Sequence, residues 1–113
     1  MAHKGVLERL HAAEPVLSLG LRNARTPEIV RLAAGAGFGV VWVDLEHSSI
    51  GVDAAAQLAA TALDLGLEGW VRTPERDYGI IGRLLDAGVT GIIAPRIETP
   101  EKPANSPPHA IRR

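Results

Sequence analysis

The stretch FGVVWVDLEHSS, residues 38–49, joins an apolar run to a cluster of charges. Val40–Val43 consists of β-branched and aromatic residues, which is typical of a strand buried on both faces. Three ionisable side chains follow within four residues: Asp44, Glu46 and His47. In α/β proteins, functional side chains collect where parallel strands end. The stretch therefore predicts a buried parallel strand with a functional site at its C-terminal end, and a polar loop that only caps the next helix is the alternative.

The same order of elements repeats on both sides of this stretch. Strands are predicted to begin near residues 16, 39, 68 and 91, with amphipathic helices and glycines between them. A short helix over residues 4–13 precedes the first strand. Strands that alternate with helices at this spacing indicate right-handed βαβ units and a parallel sheet. We predict an α/β fold with the strands in the order 1-2-3-4. Four side chains are predicted to be buried in it: Val41, Val43, Val71 and Ile93.

Length and composition narrow the classes of protein that fit. With 113 residues the chain is too short for a complete (β/α)8 barrel, which needs about 200. A net charge of -1 indicates neither a nucleic-acid partner nor an acidic membrane surface. There is no cysteine for a disulfide or a thiolate site, and neither a signal peptide nor a membrane helix is evident. We expect a cytoplasmic protein.

The end of the sequence differs in character from the repeating units. Pro103, Pro107 and Pro108 exclude a helix interior there, because proline lacks the backbone N–H and clashes with the preceding turn. We therefore divide the chain into residues 1–101, which hold the βα units, and an irregular tail over residues 102–113.

Polar side chains follow each predicted strand, at what should be one edge of the sheet. They are Arg22 and Asn23, then Asp44, Glu46 and His47, then Arg72, and finally Pro95, Arg96 and Glu98. His47 has the residue type of a base near neutral pH, and a carboxylate such as Asp44 can orient an imidazole. The planar fork of Arg72 suits a carboxylate or carbonyl oxygen.

Each of these assignments has a structural alternative. His47 can serve only as a helix cap, and Arg72 can form an ion pair with Glu46. For Arg96 and Glu98, a pair on the surface is the interpretation that we favour. Trp42 and Trp70 are expected to pack in the core or against helices. A nucleotide-binding fold is disfavoured, because no G-x-G-x-x-G motif follows the first strand.

Three segments together resemble the HpcH/HpaI aldolase family. They are FGVVWVDLEHS (38–48), WVR (70–72) shortly before Pro74, and LDAGVTGIIAPRIET (85–99). Their order and spacing extend the resemblance from about Leu17 to Glu101. Members of this family are metal-dependent pyruvate aldolases related to the β-subunit of citrate lyase. The resemblance implies a TIM barrel, of which this chain would hold about the first four βα units. It also implies a carbon–carbon lyase that reversibly cleaves a 4-hydroxy-2-oxo acid to pyruvate and an aldehyde.

The resemblance also implies roles for individual residues. His47 corresponds to the base, Asp44 to its dyad partner, and Arg72 to the arginine that holds the pyruvate oxygen, with Glu46 beside it in substrate binding. The family uses a divalent metal such as Mg²⁺, Mn²⁺ or Co²⁺, held by Glu and Asp from the fifth and sixth strands. Those ligands would lie beyond residue 113, so we expect no metal to be bound by this chain alone.

Two functional hypotheses follow from the resemblance. The first is a pyruvate aldolase whose partners are a small 2-oxo acid and an aldehyde, without nucleic acid or membrane, and which forms a homo-oligomer. The alternative is a catalytically inactive truncated fragment or paralogue that lacks the metal-binding half.

Overall fold

Four parallel strands alternate with helices in the computed structural model, which describes residues 5–74 and 78–94. The helices are α1 (Val6–His11), α2 (Glu28–Gly35), α3 (Val52–Asp64) and α4 (Tyr78–Asp86), and the strands are β1 (Ser18–Leu21), β2 (Val40–Asp44), β3 (Glu68–Arg72) and β4 (Gly91–Ile93). All neighbouring strands pair in parallel, in the order β1-β2-β3-β4. The predicted strand order and α/β class are therefore confirmed.

Helices α2, α3 and α4 end in the same way. A glycine with positive φ follows each of them, at Gly37 (94°), Gly66 (84°) and Gly88 (111°). The next backbone N–H then donates to a carbonyl five residues earlier, from Phe38 to Ala33 (3.0 Å), from Leu67 to Ala62 (2.8 Å) and from Val89 to Leu84 (3.1 Å). This closure satisfies helix-end carbonyls and turns the chain toward the next strand, which explains the repeated glycines in the sequence.

One face of the sheet, which we call the outer face, packs against α2, α3 and α4. Val41, Val43 and Val71 lie on it and are almost completely buried, as predicted. Gly69 permits the closest approach of a helix, since a Cβ added there would lie 2.7 Å from the Cα of Ala59 in α3. The outer face therefore holds the main core of the described residues.

The opposite face, which we call the inner face, carries larger and more polar side chains. Gly20, Trp42, Trp70 and Gly91 form one row across the four strands. Each indole ring lies over a glycine, because a Cβ added to Gly20 or Gly91 would come within 2.6 Å of the Trp42 or Trp70 ring, respectively. Both tryptophans are half-buried and lie outside the helix-covered core, so of the two positions expected for them the core position is wrong, and packing against a helix stays a prediction.

The prediction that Ile93 is buried is also wrong, because this side chain is only partly buried. The register of the sheet gives the reason. Ile93 pairs with Arg72 and therefore belongs to the inner face, whereas its neighbour Ile92 packs against the helix-covered core.

Several predictions concern residues outside the described part of the chain. They are the fourth strand end with Pro95, Arg96 and Glu98, and the division at residues 101 and 102 with its irregular tail. Within residues 5–74 and 78–94, none of the helices has the length and apolar character needed to cross a membrane.

Candidate active site

The C-terminal edge of the sheet brings together charged side chains from three successive strands. Asp44 ends β2 and pairs in register with Arg72, which ends β3. Arg22 comes directly after β1, and both Glu46 and His47 lie in the loop that follows β2. Because the strands are parallel, all five residues share one edge, where α/β proteins carry their functional groups.

Asp44 is the centre of this cluster and is completely buried. Its Oδ1 accepts hydrogen bonds from the backbone N–H groups of Glu46 and His47, both at 2.9 Å, and from Nε of Arg72 at 3.2 Å. Its Oδ2 accepts from Nη2 of Arg72 at 2.5 Å and from Nε of Arg22 at 3.1 Å. Buried carboxylates require such donors, and here both oxygens are fully engaged.

These contacts keep Asp44 in its charged form. Burial raises the pKa of Asp44, but hydrogen bonds from Arg72, the His47 backbone, Arg22 and the Glu46 backbone together lower it by more. The net result is a pKa well below the ordinary value for aspartate. The hydrogen bond to Asp44 also raises the pKa of Arg72, although burial of the guanidinium opposes this. Asp44 is therefore a fixed anion near neutral pH and not a group that exchanges protons.

Asp44 and Ser48 also determine the path of the loop after β2. Besides the two N–H groups that donate to the Asp44 side chain, Ser48 Oγ donates to the Asp44 carbonyl. The N–H of Ile50 in turn donates to Ser48 Oγ at 3.1 Å. Such side-chain bonds to nearby backbone groups are the usual role of Asp and Ser in turns. The D-x-E-H-S sequence thus builds a defined turn that presents His47, whose side chain is 51% exposed.

Glu46, and not Asp44, supplies the carboxylate beside the imidazole. Oε1 of Glu46 lies 3.5 Å from Nε2 of His47 and 3.5 Å from Nε of Arg72. Asp44 meets His47 through the backbone N–H. The predicted dyad of Asp44 with the His47 ring is therefore corrected, because two arginines and two backbone groups already occupy the Asp44 oxygens.

Arg72 is held in place from two sides. Two of its nitrogens donate to Asp44, and its guanidinium carbon lies 5.1 Å from the centre of the Trp42 ring. Arg72 therefore forms the ion pair that was the alternative to a role in ligand binding. Asp44 is its closer partner and Glu46 the more distant one. Its side chain is 24% exposed, so part of the guanidinium reaches the surface of the cluster.

Arg22 is the residue whose part in the cluster the sequence did not reveal. Its position after the first strand was evident, but its contact with Asp44, at the end of the adjacent strand β2, could not be inferred. The available signal was its position directly after β1. Arg25, on the same loop, donates to Ser49 Oγ at 2.7 Å and so links this loop to the one after β2.

The divalent metal that the resemblance implies does not fit the side chains described here. Within residues 5–74 and 78–94, no three His, Cys, Asp or Glu side chains are grouped so that they could hold a metal ion. Asp44 has both oxygens occupied by donors, and Glu46 lies beside Arg72. A divalent cation needs several oxygen ligands, which this set does not offer.

One cavity of the described residues, with a volume of about 540 Å³, lies away from this cluster. It is lined by residues near the N-terminal edge of the sheet, among them Phe38, Gly66 and Glu68. None of the charged residues at the C-terminal edge lines it. The site is therefore located by its charges and not by the size of a cavity.

Several curated proteins with similar sequences are aldolases. The chain is 37% identical over 95 residues to the 4-hydroxy-4-methyl-2-oxoglutarate aldolase cghB of Chaetomium globosum, covering 83% of this chain and 35% of that protein. It is 35% identical over 103 residues to a hydroxypyruvate/pyruvate aldolase of Deinococcus radiodurans, covering 85% and 36%. This chain thus spans about a third of the length of the curated relatives that it matches.

Solved structures with a similar fold include an aldolase and a citrate synthase. The chain matches an HpcH/HpaI aldolase from Desulfitobacterium hafniense DCB-2 with a TM-score of 0.71 and 32% identity, covering 78% of this chain and 34% of that one. It matches the citrate synthase SbnG with a TM-score of 0.69 and 26% identity, covering 83% and 38%. No protein-family model matches the chain. The resemblance to the HpcH/HpaI aldolase family, and the βα units of its barrel fold, are thus confirmed over about a third of the length of these relatives.

Proposed function

We propose that this chain contributes the base and the oxo-acid-binding arginine of a carbon–carbon lyase. The reaction would be the reversible cleavage of a 4-hydroxy-2-oxo acid to pyruvate and an aldehyde. The observation that carries the proposal is the buried Asp44, which holds Arg72 and the His47 loop at one edge of the sheet. The sequence similarity to aldolases supports the same reaction class.

Arg72 is suited to hold the oxo acid. Its contacts with Asp44 and Trp42 fix the guanidinium before any ligand arrives. A planar guanidinium binds carboxylate and carbonyl oxygens well, and a fixed one loses less freedom on binding. In the proposed reaction, Arg72 stabilises the negative charge that develops on the 2-oxo oxygen as the enolate forms.

His47 is suited to move the proton. Its ring is half exposed, so a substrate can reach it, whereas Asp44 is buried. The neutral imidazole takes the proton of the 4-hydroxyl, the C4 oxygen becomes the aldehyde carbonyl, and the C3–C4 bond breaks. The electron pair of that bond forms the enolate of pyruvate, and return of the proton to C3 gives pyruvate. General-base catalysis of this kind typically contributes about 10²–10⁴-fold to a rate.

Glu46 is assigned a positioning role in this scheme. Its side chain is 9% exposed and lies between the His47 ring and Arg72. A carboxylate at that place can fix the orientation of the imidazole relative to the guanidinium. Substrate binding by Glu46 itself, as the resemblance implies, stays a prediction.

The described residues do not fit the family's divalent metal, so every step above uses side chains of this chain. That same observation favours the alternative function, a catalytically inactive polypeptide. A small oxo acid and an aldehyde are the partners that the aldolase hypothesis requires, and the homo-oligomeric state stays a prediction.

The two functions can be separated by measuring pyruvate release from 4-hydroxy-4-methyl-2-oxoglutarate with a lactate dehydrogenase-coupled assay. C4 of this substrate carries a methyl and a carboxylate group, so the same bond cleavage gives a second pyruvate in place of the aldehyde. The 113-residue chain would be assayed alone, and also mixed with a polypeptide that carries the rest of the Desulfitobacterium hafniense aldolase, with Mg²⁺ or Mn²⁺ present. We expect at most weak activity alone and turnover in the mixture. His47→Ala should lower the rate of the mixture by about 100-fold or more.

The matched control is His11→Ala, since His11 is an exposed histidine of α1, and it should leave the rate unchanged. Turnover that His47→Ala does not affect would refute the role of this base. A mixture that forms a complex but releases no pyruvate would support the inactive polypeptide.

A further inference from the structure

We propose that Arg22 recognises a second carboxylate, so that the site selects dicarboxylic over monocarboxylic 2-oxo acids. This inference rests on the proposed function, because it takes Arg72 as the group that holds the oxo-acid end of the ligand. It adds the substrate class and names the side chain that determines it.

The geometry places two guanidinium groups around one oxygen. Oδ2 of Asp44 accepts from Nη2 of Arg72 at 2.5 Å and from Nε of Arg22 at 3.1 Å. The two cations must therefore lie close together, at the ends of β3 and β1. A ligand of a few carbon atoms that binds Arg72 with one end has Arg22 within reach of its other end.

The two arginines differ in exposure and in how they use their donors. Arg72 commits two nitrogens to Asp44 and is 24% exposed, whereas Arg22 contacts Asp44 through Nε and is 59% exposed. That contact does not use the two terminal nitrogens of Arg22. These terminal nitrogens form the edge of a guanidinium that can bind a carboxylate with two parallel hydrogen bonds.

Among the residues that the structure describes, the balance of charge at this edge favours an anion. Asp44 carries one negative charge, which two guanidinium groups share, and Glu46 lies beside Arg72 and His47. Arg25 adds another cation on the loop of Arg22 and is held by Ser49. The chain as a whole has a net charge of -1, so this positive excess is local. Such a local excess attracts ligands that carry more than one negative charge.

The chemistry of one relative is consistent with this reading. The 4-hydroxy-4-methyl-2-oxoglutarate of cghB is, by its name, a 2-oxo acid with a second carboxylate. A purely structural role for Arg22, as an additional donor to Asp44, is the competing explanation. It predicts no difference between ligands with one and two carboxylates.

The experiment compares 2-oxoglutarate with 2-oxopentanoate, which has the same number of carbon atoms but only one carboxylate. Binding of each to the 113-residue chain would be followed by NMR, using the Nε–H signals of Arg22 and Arg72. We expect 2-oxoglutarate to bind about tenfold more tightly, as one additional charged contact allows. Arg22→Gln should remove this preference, so that the Kd values of the two acids lie within about twofold of each other.

Two further variants complete the series. Arg22→Lys keeps the charge without the planar fork and should retain part of the preference. Arg31→Gln removes an exposed arginine of α2 and should retain all of it.

The outcomes separate this inference from the proposed function. If the unmodified chain binds both acids equally, the role of Arg22 is refuted while oxo-acid binding stands. If it binds neither acid, both proposals fail for this chain. A preference that persists in a folded Arg22→Gln variant also refutes the inference. If that variant does not fold, an undiminished preference in the Arg22→Lys variant refutes it in the same way.

Discussion

The two faces of the sheet are built on different physical principles. On the outer face, Val41, Val43 and Val71 are almost fully buried against helices, and Gly69 lets α3 come close. On the inner face, Trp42 lies over a glycine and under Arg72, and Asp44 is buried among charged and backbone donors. Close packing of apolar groups stabilises the contact of the outer face with the helices. Directional polar contacts instead stabilise the inner face at the C-terminal edge of the sheet.

This difference indicates where the chain can tolerate change. A helix backbone in contact with the sheet cannot move without disturbing a whole element, but a half-buried ring can rotate. A buried carboxylate depends on every donor around it, so its removal leaves two arginines without their partner. The predictions below test this contrast between the faces, beginning with the largest expected effect.

The strongest perturbation is expected from Asp44→Asn. Removing one member of a buried ion pair typically costs about 3 kcal/mol, and here one carboxylate serves both Arg72 and Arg22. Urea denaturation at neutral pH would measure the loss of unfolding free energy. Asp86→Asn, at the exposed end of α4, is the control and should change stability by less than about 0.5 kcal/mol. Equal effects of the two variants would contradict the central role of Asp44.

The contribution of Asp44 should also depend on pH. Its pKa in the folded chain lies below the ordinary aspartate value of about 3.9. The unfolded chain therefore takes up the proton first as the pH falls. The stabilisation is complete above about pH 4 and declines progressively below it. Denaturation curves at pH 7, 5 and 3 should show the difference between the unmodified chain and Asp44→Asn decreasing only in the most acidic range.

An intermediate effect is expected when each face receives one methyl group. In Gly69→Ala the new Cβ would lie 2.7 Å from the Cα of Ala59, so α3 must shift, and overpacking of this kind costs about 2 kcal/mol. In Gly20→Ala the Cβ meets the outer edge of the Trp42 ring at 2.6 Å. The ring is half-buried and can rotate, so the cost should stay below about 1 kcal/mol. Thermal unfolding of both variants would test this, and a larger loss for Gly20→Ala would reverse the comparison.

The smallest effect is expected from substitution of Trp42, whose ring lies beneath the guanidinium of Arg72. Trp42→Leu removes the aromatic face, and an exposed or partly exposed cation–π contact contributes about 0.5–1 kcal/mol. Trp42→Phe keeps a smaller ring and should lose less. The mobility of the Arg72 Nε–H group, measured by NMR relaxation, should increase in the leucine variant. An unchanged mobility would show that Asp44 alone fixes the guanidinium.

Much of the fold was predictable because its signals are local in sequence. Apolar runs indicate the strands β2 and β3. Glycines after the helices indicate where each helix ends and the chain turns toward the next strand. The burial of Val41, Val43 and Val71 followed from these patterns. Ile93 did not, because a short apolar run does not indicate which residue faces the helices. That orientation depends on the pairing of Ile93 with Arg72 across the sheet.

The sequence by itself determined that charged residues stand at the ends of parallel strands, since chain direction places all those ends at one edge. Only the tertiary structure decided which charges pair. The sequence pattern places several charged residues at the same edge as Asp44 and does not indicate which of them contact it. In the folded sheet, the carboxylate of Asp44 binds Arg72 and Arg22, whereas Glu46 lies beside the His47 ring. Ion pairing acts over a few ångströms, so it depends on side-chain positions that only the assembled sheet defines.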